Sequence, residues 1–184
     1  MARFLRGLLI FLLICLLNFA GIGAEAASRD LDKLYEKARF KLGNVALSAY
    51  VADDDGRRAQ GLMFIESLPA DTGMLFIFEH EQPQGFWMKN TLIPLSIGFL
   101  NAKGELMEVQ EMRVAGSLMS LSPPSYQSRY PALYALEMAA GWFDKNKIKP
   151  GSFLKLLSPT KSALLKDKLI EVKKATKKPA KSRQ

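Results

Sequence analysis

The chain has 184 residues, a single cysteine and a formal net charge of +8. Because that cysteine, Cys15, lies near the N-terminus, the rest of the chain can form no disulfide or thiolate zinc site and has no cysteine nucleophile. Residues 161–184 carry nine Lys or Arg against two acidic side chains, whereas residues 27–160 carry fifteen of each sign. The basic balance therefore describes a tail, and it indicates no specific nucleic-acid partner.

The N-terminal segment predicts a secretory signal peptide over residues 1–26. An apolar run from Leu8 to Ala20 follows two arginines, and Ala24 to Ala26 offers a small-x-small cleavage site. The run is short for a membrane span, which needs about 20 residues. We therefore expect an exported chain, periplasmic or extracellular, that begins near Ala27.

The first part of this mature chain predicts two helices and a hairpin. A lead-in over residues 27–39 has Ser28 as a helix cap and an apolar stripe, which predicts a helix over residues 28–38. Gly43 and Asn44 supply turn chemistry between residues 40–42 and the alternating run 45–51, which predicts a hairpin. The contiguous acids 53–55 lack the alternate spacing of a calcium loop, so we expect them to cap a short helix over residues 57–63.

The rest of the chain alternates short apolar runs with turn signals. We expect a polar loop at residues 79–84, a long irregular loop at residues 113–131, a short helix at residues 140–147 and a helix that starts at Ser158. The predicted strands are residues 74–78, 86–94, 95–99, 105–112, 133–138 and 153–157.

These runs predict a mainly β fold, a jelly-roll-like sandwich or barrel with a few short helices. We expect a single β domain over residues 40–157. A helix and a basic, partly disordered tail would follow over residues 158–184. The tail, residues 161–184, could contact an anionic surface of the envelope or be only a solvated end.

Polar residues interrupt the apolar segment Phe86–Pro94. If this segment is a strand, Trp87, Lys89 and Thr91 share one face, while Asn90 lies on the other. A buried amide or ammonium without a partner costs about 2–7 kcal/mol. The fold or a ligand must therefore satisfy these groups.

Glu137 lies inside another apolar run, residues 133–138. A buried carboxylate needs a cation, and Lys89 and Arg58 are the expected partners. One interpretation is a structural ion pair between sheets. The other is a cleft in which a lysine and a carboxylate have perturbed pKa values, beside Asn90 and Thr91.

The usual catalytic patterns are missing from the sequence. It has no nucleophile elbow, phosphate loop or dinucleotide fingerprint, and His80 is the only histidine. Seven methionines follow the signal segment and would suit copper(I), but they are scattered singly, which favours core packing. We therefore assign no catalytic residue, no metal site and no cofactor, and we do not expect an enzyme.

Four segments together resemble the domain of unknown function 192 family, and the resemblance covers about residues 40–157. It implies a compact, mainly β, jelly-roll-like domain of bacteria and archaea, often behind a signal peptide, with no established activity. Ser96 and Ser152 depart from the family pattern, which usually has an aspartate at each position. The segments that carry the resemblance are residues 58–63, 73–78, 86–95 and 134–137, the last followed by Gly141.

The leading hypothesis is a non-enzymatic binding module for a small or peptide-like ligand. One alternative is an envelope hydrolase or lyase that uses Lys89 and Glu137 as an acid–base pair. Another is a structural accessory that its basic tail holds at the envelope. The candidate binding residues are Arg58, Trp87, Lys89, Asn90, Thr91 and Glu137.

Overall fold

The structure, a computed structural model, describes residues 30–117 and 120–167. The predicted signal peptide and most of the predicted basic tail lie outside these ranges. No helix within them is long and apolar enough to cross a membrane. The described chain is mainly β, and its principal sheet is curled into a half-barrel, as the sequence predicts for the fold class.

Seven strands form this sheet and two more form a separate ribbon. In the sheet the order is β6-β5-β8-β3-β2-β1-β9, and every neighbouring pair is antiparallel except β2 and β3. The sheet strands are β1 (Glu36–Leu42), β2 (Val45–Ala52), β3 (Thr72–Gln82), β5 (Leu95–Leu100), β6 (Leu106–Met112), β8 (Ala132–Ala139) and β9 (Leu154–Leu156). The ribbon strands are β4 (Gly85–Trp87) and β7 (Ser125–Gln127), and the helices are α1 (Leu31–Leu34), α2 (Asp55–Gln60) and α3 (Trp142–Lys145).

The two edges of the curled sheet meet at one corner. Glu105, just before β6, forms an isolated antiparallel bridge with Phe153, just before β9. The Leu154 N–H donates to the Gly104 carbonyl at 2.8 Å, and the Leu106 N–H donates to the Ser152 carbonyl at 2.8 Å. Backbone hydrogen bonds therefore join the two edges of the half-barrel at this place, which we call the bonded corner.

Strand alternation divides the core between the two faces of the sheet. On β3, Met74 and Phe76 belong to one apolar cluster, while Leu75 and Ile77 belong to the other. We call the first the loop face, because residues 61–70 and 86–95 cover it. We call the second the helix face, because α3 and the helical residues 163–167 cover it. Both faces are buried, so most strands are apolar on both sides.

Several predicted elements are confirmed. β1 and β2 form the hairpin, with Leu42 opposite Val45 and Gly43 in the left-handed region at φ 56°. The Asp54 carboxylate caps α2 by accepting the Arg57 N–H at 2.7 Å. Turn and cap chemistry act over a few residues, which is why the sequence is sufficient to predict them.

Four expectations about elements are wrong. The first helix spans only Leu31–Leu34, because the chain pairs as β1 from Glu36 onward. β3 continues to Gln82, so residues 79–82 are strand rather than loop, and the predicted irregular loop contains β7. Helix resumes at residue 163 rather than at Ser158, with the Ser162 hydroxyl accepting the Leu165 N–H at 3.1 Å.

Candidate functional site

The segment Phe86–Pro94 is not one strand. β4 ends at Trp87, and Lys89 and Asn90 form a turn in which Asn90 has φ 54°. Asparagine tolerates this left-handed conformation better than most residues. The two-residue alternation therefore stops, so Thr91 is buried and Lys89 is exposed. The predicted face shared by Trp87, Lys89 and Thr91 is wrong.

Trp87 and Lys89 lie together at the surface. The indole is 52% exposed, and the Lys89 ammonium lies 5.2 Å from its ring centroid. This is cation–π geometry, in which the ring quadrupole attracts the cation. The contact with the Trp87 ring therefore holds the Lys89 side chain at the surface.

Phe64, a second residue with a left-handed backbone conformation, is hydrogen-bonded to this turn. The Phe64 N–H donates to the Asn90 carbonyl at 2.8 Å, and Phe64 itself has φ 61° with 40% of its surface exposed. A positive φ at a bulky residue costs about 1–3 kcal/mol and clusters at functional sites. Phe64, Trp87, Lys89 and Asn90 all belong to the segments that cover the loop face. We call this group the rim. Sequence reasoning missed Phe64, because nothing in the sequence signals a strained aromatic residue there.

Ring contacts and hydrogen bonds of the neighbouring residues hold the rim in place. The Phe86 ring packs edge-to-face on Phe76 at 4.9 Å and on Phe99 at 5.7 Å between centroids. The Met88 N–H donates to the Pro124 carbonyl at 2.8 Å, and the Thr91 hydroxyl donates to the Lys89 carbonyl at 3.3 Å. The rim is therefore anchored by buried residues that alternate with its exposed ones.

Arg58 does not join the site. Its guanidinium donates to the Ile77 carbonyl at 2.7 Å, to Asp55 at 2.6 Å and to Glu79 at 3.1 Å, and it lies 5.5 Å from the Phe78 ring centroid. These contacts fasten α2 to β3. The expectation that Arg58 would pair with Glu137 is wrong.

Glu137 occupies the middle of the loop face. On β8 it lies opposite Met74 of β3 and Ile97 of β5, and it is 6% exposed. Its carboxyl group has no hydrogen bond or ion pair with any residue that the structure describes, so the expected pair with Lys89 is also wrong. Burial alone raises the pKa of Glu137 to about 8.

The Glu137 carboxyl group keeps a narrow contact with solvent. Within residues 30–117 and 120–167, every fully buried side-chain nitrogen or oxygen has a hydrogen-bond partner. Since the Glu137 oxygens have none, they are not fully enclosed. The apolar cluster on this face includes Leu62, Ile65 and Met88 from the two covering segments. Glu137 is therefore a buried acid on an apolar sheet face, and its oxygens keep limited access to solvent.

At neutral pH most Glu137 carboxyl groups are protonated. A protonated carboxyl group donates one hydrogen bond and accepts others, so it can pair with an amide or a carboxylate.

Among the described residues, no three His, Cys, Asp or Glu side chains converge as a metal site. Of the methionines, Met74 and Met88 belong to the cluster of the loop face, while Met138 packs on the helix face.

The two departures from the family pattern are structural. The Ser96 hydroxyl donates to Glu111 at 2.6 Å and accepts the Gly141 N–H at 2.8 Å. Ser152 lies at the bonded corner, where its carbonyl accepts the Leu106 N–H. Because Ser96 precedes Ile97 on β5, its side chain points away from the loop face and from Glu137.

The fold and its buried acid define a mainly β half-barrel domain with an unpaired carboxyl group on one sheet face. Residues 38–156 match the model of the DUF192 family, described as "Uncharacterized ACR", and the chain belongs to this family. No curated protein matches the chain.

Several solved structures are similar to this chain, and two of them are the following. One, from Sinorhizobium meliloti 1021, is described as a candidate transcription regulator. It is 33% identical with a TM-score of 0.60, over 66% of this chain and 95% of that one. The other, from Novosphingobium aromaticivorans DSM 12444, is described as a protein of unknown function. It is 26% identical with a TM-score of 0.54, over 64% of this chain and 83% of that one.

Proposed function

We propose that the chain is an exported, non-enzymatic binding module whose ligand reaches the loop face and forms hydrogen bonds with Glu137. One observation carries this proposal: Glu137 is buried in the middle of an apolar sheet face with no partner among the described residues. Because its oxygens reach solvent and bond to no described residue, a ligand can form hydrogen bonds with them directly.

The chemistry of the rim narrows the ligand class. The exposed rings of Phe64 and Trp87 offer apolar faces, and the Lys89 ammonium offers a positive charge. The protonated Glu137 carboxyl group can donate to a carbonyl or carboxylate at depth. This combination suits an extended peptide or a small anionic ligand with an apolar part.

We infer no nucleic-acid partner for this domain. The Sinorhizobium protein is described as a candidate regulator of transcription. In residues 27–160 of this chain, however, basic and acidic side chains are equal in number, and a DNA-binding surface needs a basic excess.

Native mass spectrometry of the chain, purified from its own host without denaturation, tests the proposal. We expect a reproducible extra mass at pH 7 that Glu137→Gln retains, because an amide also donates and accepts. Glu137→Met removes both functions, so the mass is lost. Lys89→Ala weakens retention, whereas Lys145→Ala, at an exposed position of α3, leaves it unchanged.

The same variants separate the proposal from its rival. If Glu137 were the base or acid of a hydrolase or lyase, Glu137→Gln would abolish turnover while still binding ligand. A bare mass in repeated preparations contradicts the binding proposal, and so does an extra mass that Glu137→Met retains.

A further inference from the structure

A cavity lies beside the bonded corner. Its volume is about 380 Å³, within the range of about 300–1,000 Å³ that is typical of small-molecule sites. Its floor consists of buried Phe40, Tyr134 and Leu165, which belong to the cluster of the helix face. Its remaining lining residues are Ala102, Lys103, Gly104 and residues 153–156.

The incomplete closure of the half-barrel produces this cavity. The turn between β5 and β6 runs beside β9, and Gly104 approaches so closely that a Cβ there would lie 3.2 Å from the Leu154 carbonyl oxygen. Gly104 also has φ 77°, which favours glycine. Leu165, buried in the cluster of the helix face, lines the cavity beside this contact.

Two of the residues that line this cavity are lysines with no carboxylate partner among the described residues. Lys103 and Lys155 line it, both are exposed, and neither forms an ion pair with a described residue. Lys41 on β1 lies directly opposite Lys155 on β9. Like charges at opposed positions of two strands repel each other. An anion at this edge would relieve that repulsion.

The nearby carboxylates do not neutralise these lysines. Glu81 accepts the Ala102 N–H at 2.8 Å, and Glu105 accepts the Asn101 amide at 3.2 Å. Neither carboxylate lies within ion-pair distance of a lysine that the structure describes. The cavity therefore combines an apolar interior with lysines at its mouth that have no carboxylate partner among the described residues.

We propose that this cavity binds a free long-chain carboxylate, with its hydrocarbon chain against Phe40, Tyr134 and Leu165 and its carboxylate at Lys103 and Lys155. The apolar chain removes the lining from water. The carboxylate forms charge-assisted hydrogen bonds with the ammonium groups. The site lies on the helix face, so it is independent of Glu137.

Isothermal titration calorimetry with dodecanoate tests this site. The chain is purified from its host and stripped of bound lipid before the titration. We expect saturable binding of one dodecanoate per chain. Dodecyltrimethylammonium, with the same chain length and the opposite charge, binds about tenfold more weakly or not at all, because it meets the lysines. Glu137→Met leaves dodecanoate binding unchanged.

Variants locate the bound chain and head group. Ala102→Phe fills the cavity from the exposed turn and abolishes binding, with circular dichroism confirming the fold. The pair Lys103→Gln and Lys155→Gln weakens dodecanoate about tenfold and removes the preference over the cation. The control pair Lys145→Gln and Lys149→Gln removes the same charge elsewhere and changes neither.

Three results overturn the proposal. One is the absence of saturable dodecanoate binding. Another is equal affinity for the cationic amphiphile in the unmodified chain. The third is binding that survives both Ala102→Phe and the double lysine variant, which would place the ligand elsewhere.

Discussion

The loop face and the helix face of the sheet are built from the same strands but satisfy their polar groups differently. On the helix face, Ser96 is buried but bonded to both Glu111 and Gly141. On the loop face, Glu137 is buried with no partner among the described residues, and the segments that cover this face include two left-handed residues, Phe64 and Asn90. Ser96 lies opposite Glu111 on the adjacent strand, whereas the residues opposite Glu137 are the apolar Met74 and Ile97. A buried polar group that the fold leaves unsatisfied therefore marks the loop face as the candidate for binding.

The largest expected effect is on the pH dependence of the free energy of unfolding, through Glu137 on the loop face. Burial raises the Glu137 pKa from its ordinary value of 4.5 to about 8. Between these values the unfolded chain has already lost the proton that the folded chain keeps. This group's contribution therefore lowers the free energy of unfolding as pH rises from 4.5 to 8, by about 5 kcal/mol at most.

Urea unfolding at pH 5 and pH 8 measures this contribution. We expect Glu137→Gln to lose less stability than the unmodified chain between the two pH values, because glutamine does not ionise. The difference between the two proteins isolates Glu137 from the other carboxyl groups. Parallel pH profiles would contradict the raised pKa and weaken the contrast between the faces.

Added volume on the helix face should have the next largest effect. A Cβ at Gly98 would lie 2.8 Å from both the Leu106 side chain and the Phe143 ring. Gly98→Ala should therefore lower the free energy of unfolding by about 1–3 kcal/mol through overpacking. Gly116→Ala is the control, because nothing lies within 4 Å of its Cβ position. Equal urea midpoints for the two variants would show that the helix face is loosely packed.

Lys89→Ala should have the smallest effect on stability. Lys89 is exposed, and its only described partner contact is with the Trp87 ring, so we expect a change within about 0.5 kcal/mol. Loss of several kcal/mol on urea unfolding would instead indicate a buried ion pair, and would refute the assignment of Lys89 to the rim.

The candidate site could be predicted only in part. The sequence pointed to residues 86–94 and to Glu137, because polar residues inside apolar runs are visible without a structure. It could not show that Arg58 pairs with Asp55 and Glu79, or that Phe64 joins the rim. Those contacts join segments that are far apart in the chain, and no local pattern specifies them.

The sequence by itself determined what depends on a few consecutive residues. Gly43 at the hairpin turn, the Asp54 cap of α2 and the alternating runs of the strands follow from local conformational preferences and from the period of the side chains. Only the tertiary structure decided the parallel pairing of β2 with β3, the break in the Phe86–Pro94 segment and the isolation of Glu137. These features depend on which distant segments cover each face of the sheet, because burial and hydrogen-bond partners are set by packing rather than by sequence neighbours.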